Sequence, residues 1–337
     1  MEVVKTPDRG ELAAEVTGHP TGEAVFLLHG TPGSLLGPRP RGIFLYRLGI
    51  RLISYNRPGY PGSTRLKGRI IADAAADVEA IADHFGIDRF SVIGRSGGAP
   101  HALACAADKR LRDRLKCTVS LCGLAPYDAH GNGGLDWFAG MIESNVTAYK
   151  NGAESDLQAL IATFNMQAER VRNNSQGLIN SLRPDFVGSD REVMGDVALR
   201  RIIARTHAEA LRESVDGWVD DVIALAHPWR VKLSDITGPV LLWHGGDDVF
   251  VPTSHTRWLH GQIGQSELHL KSGAAHFGAI KVLPEILSWV LDRVADDRKD
   301  RFAPPARSER QLVDDAEQPM VEAGLGDVGV LGAEQFC

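Results

Sequence analysis

Short apolar runs punctuate the chain: LAAEVTG from Leu12, AVFLLHG from Ala24, RLISYN from Arg51, FSVIG from Phe90, CTVSLCG from Cys117, PVLLWHG from Pro239 and ELHLKSG from Glu267. Several are continuously apolar, the pattern of strands that helices cover on both faces. Helical spacing fills the gaps between them. ADAAADVEAIADHFG, from Ala72, sets Val78, Ile81 and Phe85 on one side, and Gly86 supplies a stop. Strands alternating with helices predict an α/β protein with a doubly wound, mostly parallel sheet.

The alternation stops between about Tyr127 and Ser234. Only helical stripes run through this stretch: Leu157, Leu160, Ile161 and Phe164, then Leu199, Ile202 and Ile203, then Val219, Val222, Ile223 and Ala226. They read as packing faces of a helical insert that closes over one edge of the sheet. Strands resume at Pro239, so both flanks of the insert build the sheet. The expected organisation is a core of residues 1–127 and 235–297 with a lid of 128–234. From Arg298 the chain is charged, then glycine-rich, and 298–337 reads as a disordered tail.

Composition narrows the partners. A net charge of −6 and a pI near 6.1 argue against nucleic acid or an anionic membrane surface. No apolar run reaches the roughly 18 residues that a membrane span needs. The start, MEVVKTPDRGELAAEV, has charges where a leader peptide is apolar. Cys105, Cys117, Cys122 and Cys337 have neither metal spacing nor the density of a disulfide framework. The expectation is a reduced, cytoplasmic protein, monomeric or homodimeric.

The chemistry begins at FSVIGRSGGAP, residues 90–100. A strand that reverses sharply into a helix strains the residue at its apex and leaves no room for neighbouring β-carbons. Gly94 and Gly98 flank Ser96 at G-x-S-x-G spacing, and Pro100 suits the first turn of the following helix. No Gly-Lys-Ser/Thr follows, which disfavours a phosphate loop, and no G-x-G-x-x-G follows a strand, which disfavours a dinucleotide. A serine hydroxyl is a poor nucleophile near neutral pH, so it needs a base, an acid to orient that base, and oxyanion donors. Asp247 and Asp248 lie just beyond the strand at Pro239, and His276 lies in the loop after the last strand. The order Ser, Asp, His is the one this architecture requires. Gly97 N–H is the first expected oxyanion donor. The second is Thr31 in FLLHGTPGS, where Gly30 and Gly33 permit close backbone approach.

Five segments together, HGTPGS (29–34), NRPGYPGS (56–63), GRSGG (94–98), HGGDDVFVP (244–252) and GAAHFG (273–278), resemble the α/β-hydrolase superfamily in its lidded, single-chain branch. The resemblance runs from about Ala24 to about Val294. It implies a lid inserted after the sixth strand. It also implies Asp248 rather than Asp247 as the acid, because members place it three residues before the valine of a V-P pair, here Val251-Pro252. Residue spacing alone leaves the two aspartates equal. The implied activity is hydrolysis of a small-molecule carboxylic ester or related acyl bond, without a cofactor. The same triad serves proline-iminopeptidase-like peptidases, lactonases, carbon–carbon bond hydrolases and cofactor-free haloperoxidases. A ligand-binding sensor on this fold is the alternative of another class.

Two positions depart from the family pattern. Asn56 stands where relatives often carry Asp. Arg95, beside the serine, either attracts an anionic group of the substrate or pairs with an acid of the lid. In the insert, Trp137, Phe138, Met141, Trp218 and Trp229 either line an apolar pocket or pack its core. An aminopeptidase would need lid carboxylates, for which Glu143, Glu213, Asp220 and Asp221 are available. His29 and His244 read as loop braces, and His101 has no obvious partner. No cluster has metal-ligand spacing, so no metal is expected.

Overall fold

A computed structural model describes residues 1–131, 134–154 and 156–302, with the backbone alone for 298–302. Eight strands form one sheet: β1 Glu2–Thr6, β2 Gly10–Gly18, β3 Glu23–Leu28, β4 Ile50–Tyr55, β5 Phe90–Arg95, β6 Leu115–Leu121, β7 Val240–Gly245 and β8 Ser266–Lys271. Their spatial order is β1-β2-β4-β3-β5-β6-β7-β8. β2 runs antiparallel to both neighbours, and the remaining pairs are parallel.

The helices are α1 Gly42–Arg47, α2 Ala74–His84, α3 Ala99–Ala107, α4 Glu143–Ala153, α5 Leu157–Asn173, α6 Gly177–Leu182, α7 Gly188–Gly195, α8 Val197–Ala210, α9 Asp216–Leu225, α10 Thr253–Gln262, α11 Gly278–Lys281 and α12 Leu283–Phe302. Each central strand divides its side chains between two cores, as the two-residue period of a strand dictates. In β3, Ala24, Phe26 and Leu28 pack with Val78 and Ile81 of α2. Val25 and Leu27, on the opposite face, share a core with Leu283, Ile286, Leu287, Val290 and Val294 of α12. These continuous runs are apolar because neither face meets water. β1 escapes the sequence reading: it is a five-residue edge strand with one buried side chain, Val4.

Helices α4 to α9 lie between β6 and β7, and no strand occurs among the described residues there. Asp156 caps α5 by accepting from Ala159 N at 3.1 Å, and Asp196 caps α8 by accepting from Ala198 N at 2.8 Å. Leu160, Phe164, Ala168 and Val171 form the buried face of α5. The final helix continues to Phe302, so the segment expected as a tail starts helical. Residues 303–337, Cys337 among them, lie outside the described residues. No described helix is long and apolar enough to cross a membrane.

Candidate active site

β5 ends at Arg95, and the chain turns at once into a short 3-10 turn and α3. Ser96 occupies the turn with φ of 52°, a left-handed conformation that a side chain adopts only under constraint. The constraint is crowding. A β-carbon on Gly94 would lie 2.3 Å from Gly98 O, and one on Gly98 would lie 2.5 Å from His29 O. Glycine is the residue that fits at either place.

Ser96 Oγ lies 3.0 Å from His276 Nε2 and donates to it, and His276 Nδ1 donates to Asp248 Oδ2 at 2.7 Å. The other oxygen of Asp248 accepts from Phe250 N at 2.8 Å and Val251 N at 2.9 Å. Asp248 is buried and Asp247 is exposed. Geometry separates the two aspartates that spacing left equal. Burial pushes the Asp248 carboxyl up, but His276 and His244 outweigh it and hold it well below the ordinary carboxylate range. Burial disfavours the charged His276 ring, yet Asp248, with help from the more distant Asp190, raises its pKa above the ordinary value.

Thr31 abuts the serine turn. A β-carbon on Gly97 would lie 2.2 Å from Thr31 Oγ1 and 3.3 Å from Thr31 N, so Thr31 packs directly against Gly97. Gly30 faces the Ser96 side chain, and Gly33 folds the loop back onto Gly30 O. The loop is held from below. His29 Nδ1 donates to Gly30 O at 2.8 Å, and Arg57 donates to His29 O at 2.5 Å and Gly30 O at 3.0 Å. Arg57 in turn forks onto the fully buried Asp221 of α9, which also accepts from Tyr60 at 2.7 Å, Thr31 Oγ1 at 2.6 Å and Arg69. Burial alone would raise the Asp221 pKa; Arg57 and Arg69 hold it well below the usual range. Asn56 suits its place as an amide, accepting from Leu35 N and donating to Pro61 O, each at 2.7 Å. A carboxylate there would have no proton for Pro61.

A second carboxylate of the helical insert reaches the histidine loop. Asp190 of α7 is fully buried; its Oδ1 accepts from Phe277 N at 2.9 Å, and its Oδ2 has no hydrogen-bond partner among the described residues. Burial raises its pKa, with Phe277 N–H and His276 pulling the other way. Neither Asp190 nor the role of Arg57 is visible in the sequence. Their partners are separated from them by 87 and 164 residues.

A cavity of about 400 Å³ opens above Ser96 and His276. Trp218 lines it, stacked on Phe164 at 3.8 Å, together with Leu160, Ile203 and Val222. The helical stripes are therefore packing faces and cavity walls at once. Of the five pocket candidates, Trp137, Phe138, Met141 and Trp229 belong elsewhere, in or against one buried cluster. Trp137 points into the body, donating to Ala125 O at 3.0 Å and meeting Tyr149 and His255 edge-on, and Met141 is buried in the same cluster. A buried indole needs an acceptor, and Ala125 supplies it away from the cavity. Arg95 lines the cavity and donates to Pro38 O at 3.2 Å. No carboxylate among the described residues pairs with it, which removes the lid-acid partner that the sequence allowed.

The remaining histidines brace loops. His244 donates to Val251 O at 2.7 Å and accepts from Thr256 at 2.5 Å, and His101 donates to Gly97 O at 2.8 Å. Cys122, His244 and Asp248 bring ligand-type atoms within 4.8 Å of one another. Both nitrogens of His244 and both oxygens of Asp248 already have hydrogen-bond partners. Burial keeps the Cys122 thiol protonated. That donor set fits a hydrogen-bonded brace better than a cation site.

Comparison with known proteins adds family and fold. A family model described as alpha/beta hydrolase fold matches residues 23–281. The proline iminopeptidase of Xanthomonas citri is 36% identical over 108 residues, which span 31% of this chain and only 34% of that protein. The bromoperoxidase of Bacillus anthracis superposes with a TM-score of 0.65 at 22% identity, covering 86% of this chain and 99% of that one. The enol-lactonase of Burkholderia xenovorans gives 0.62 at 17% identity, over 87% and 100% of the two chains. An esterase of Thermogutta terrifontis gives 0.62 at 20%, over 88% and 98%. Likeness at these identities speaks for the fold alone. With the family model spanning most of the chain, over a sheet of matching order and a strained serine turn, the protein belongs to the α/β-hydrolase fold family.

Proposed function

We propose that the protein is a serine hydrolase that cleaves small-molecule carboxylic esters, or closely related acyl bonds, through an acyl-enzyme. The observation that carries this reading is the unbroken relay from Ser96 to His276 to Asp248, with links of 3.0 and 2.7 Å, at the floor of the cavity. Ser96 Oγ attacks the carbonyl carbon while His276 Nε2 takes its proton. The carbonyl oxygen becomes an oxyanion against Thr31 N–H and Gly97 N–H. His276 then protonates the leaving alcohol, and water repeats the sequence to release the acid. Asp248 stays ionised throughout, holding the ring in the required tautomer.

Two expected results follow from the site's electrostatics. Asp248→Asn should lower kcat by about 10³- to 10⁴-fold, whereas Asp247→Asn, at an exposed position, should change it by less than about threefold. A larger loss from Asp247→Asn would reassign the acid. The free-enzyme base must be unprotonated, so kcat/KM should fall as pH drops through the His276 pKa. Since that pKa is raised, the acid limb should lie above the 6.5 of an ordinary histidine. A limb well below 6.5 would contradict the pairing with Asp248.

A peptidase reading is prompted by the name of the Xanthomonas relative, and it needs a lid carboxylate free to hold the substrate amine. Asp221 is engaged by Arg57 and Arg69, Asp220 by Arg65, and Glu213 by Arg212. Glu143 and Asp185 do line the cavity, but Arg95 sets a cation beside the serine. The ester reading is therefore preferred. Steady-state turnover of an ester series of graded acyl length, run beside proline naphthylamide, tests it. Faster cleavage of the amide would favour the peptidase. Stoichiometric binding without turnover of either would favour a sensor.

A further inference from the structure

Arg95 and His207 line the same cavity, and no carboxylate among the described residues pairs with Arg95. Arg95 ends β5, one residue before the serine, and its side chain is half-buried. Of its five N–H donors, one is spent on Pro38 O at 3.2 Å. His207 of α8 lines the same cavity, is 9% exposed, and its Nδ1 has no hydrogen-bond partner among the described residues. Burial, reinforced by the charge of Arg95, lowers His207 to about 4, so the ring is neutral at pH 7. Burial also lowers Arg95, to about 10, and it remains a cation. A half-buried guanidinium with unused donors on a cavity wall is well placed to receive an anion.

We propose that Arg95 and His207 form an anion subsite in the acyl cavity, so that the substrate carries a carboxylate a few bonds from the bond cleaved. A planar carboxylate matches the fork of a guanidinium, and a neutral imidazole adds one donor without a second charge. Glu143 and Asp185 line the same cavity, so its walls carry both signs; the charge next to the reacting atoms is positive. The substrate class rests on the acyl-transfer reading above, while the anion site itself does not.

The test pairs turnover with binding. Monoethyl succinate, glutarate and adipate are compared by pH-stat with ethyl esters in which an isopropyl group replaces the carboxylate. Acetate esters of short hydroxy acids place the carboxylate on the alcohol arm. The wild type should prefer the carboxylate member of at least one set by roughly 10- to 100-fold in kcat/KM, carried by KM, as charge-assisted hydrogen bonds in a cavity allow. Arg95→Gln should bring that ratio near one, Arg95→Lys should restore part of it, and His207→Phe should lower it less. Glutarate should bind the wild type, by calorimetry, at least about tenfold tighter than it binds Arg95→Gln. Rapid cleavage of neutral esters with no carboxylate preference in either set overturns the subsite and leaves the hydrolase reading intact. Arg95-dependent glutarate binding without cleavage of any ester does the reverse. A preference for esters bearing an ammonium group would also overturn the subsite, assigning the cavity to Glu143 and Asp185.

Discussion

Replacing Ser96 by alanine should lower kcat by about 10⁴-fold or more and abolish labelling by a fluorophosphonate probe, at nearly unchanged thermal stability. The size follows from the arrangement. The hydroxyl is the one atom that can bond covalently to the acyl carbon, and neither His276 nor the backbone donors can replace it. Stability should hold because the one hydrogen bond of Ser96 Oγ among the described residues is to His276, at the floor of the cavity. The crowding that shapes the turn comes from Gly94 and Gly98, which the variant keeps. Labelling of the alanine variant at the wild-type rate would place the nucleophile elsewhere.

The second large effect is structural. Asp221→Asn should destabilise the protein by about 3–5 kcal/mol, because two guanidiniums lose their buried counter-charge. The side chains of Arg57 and Arg69 are 1% and 2% exposed, so water cannot take the place of the carboxylate. For a chain of this length that energy corresponds to a melting temperature lower by roughly 4–7 °C. The surviving folded fraction should also lose kcat, since Thr31 Oγ1 is anchored on the same carboxylate at 2.6 Å. A melting temperature within about 2 °C of wild type would mean that the two arginines find other partners and that the network is dispensable. Arg65→Met, which breaks the more exposed pair with Asp220, is the comparison that separates a buried ion pair from a surface one.

The sheet was legible because its central strands have both faces buried, which leaves an apolar run that no loop or surface helix imitates. β1 was not, since an edge strand with a single buried side chain carries little pattern. The turns bearing Ser96, Asp248 and His276 were legible because local geometry dictates the small residues around them, and local geometry is written in adjacent positions. The walls of the cavity were harder. Trp137 and Trp218 are the same residue type in the same insert, yet one packs on Tyr149 and His255 while the other faces the cavity. Which way an aromatic ring turns depends on where a distant acceptor such as Ala125 O lies, and no local pattern records that. Asp190 escaped for the same reason, and Asp221, noticed only as a carboxylate available to a substrate amine, is instead spent on Arg57 and Arg69; neither partner can be read until the fold brings Phe277 N–H or the two arginines against them.

Those two carboxylates bear on how such a protein can diverge. Asp221 on α9 ties the insert to the loop that carries Thr31, and Asp190 on α7 ties it to the loop that carries His276. Helices α4, α5 and α6 contribute cavity walls such as Tyr149, Phe164 and Leu178, and carry neither anchor. The insert is thus two pieces for purposes of inheritance: α7, α9 and α4, whose Asn145 donates to Phe250 O at 3.0 Å beside Asp248, travel with the loops of His276, Thr31 and Asp248, while α5 and α6 are freer to drift. Random libraries that spare the first group and vary the second should explore new cavity shapes at least disturbance to those loops. Wholesale exchange of the insert with that of a relative would sever both ties and should give folded sheets with idle serines.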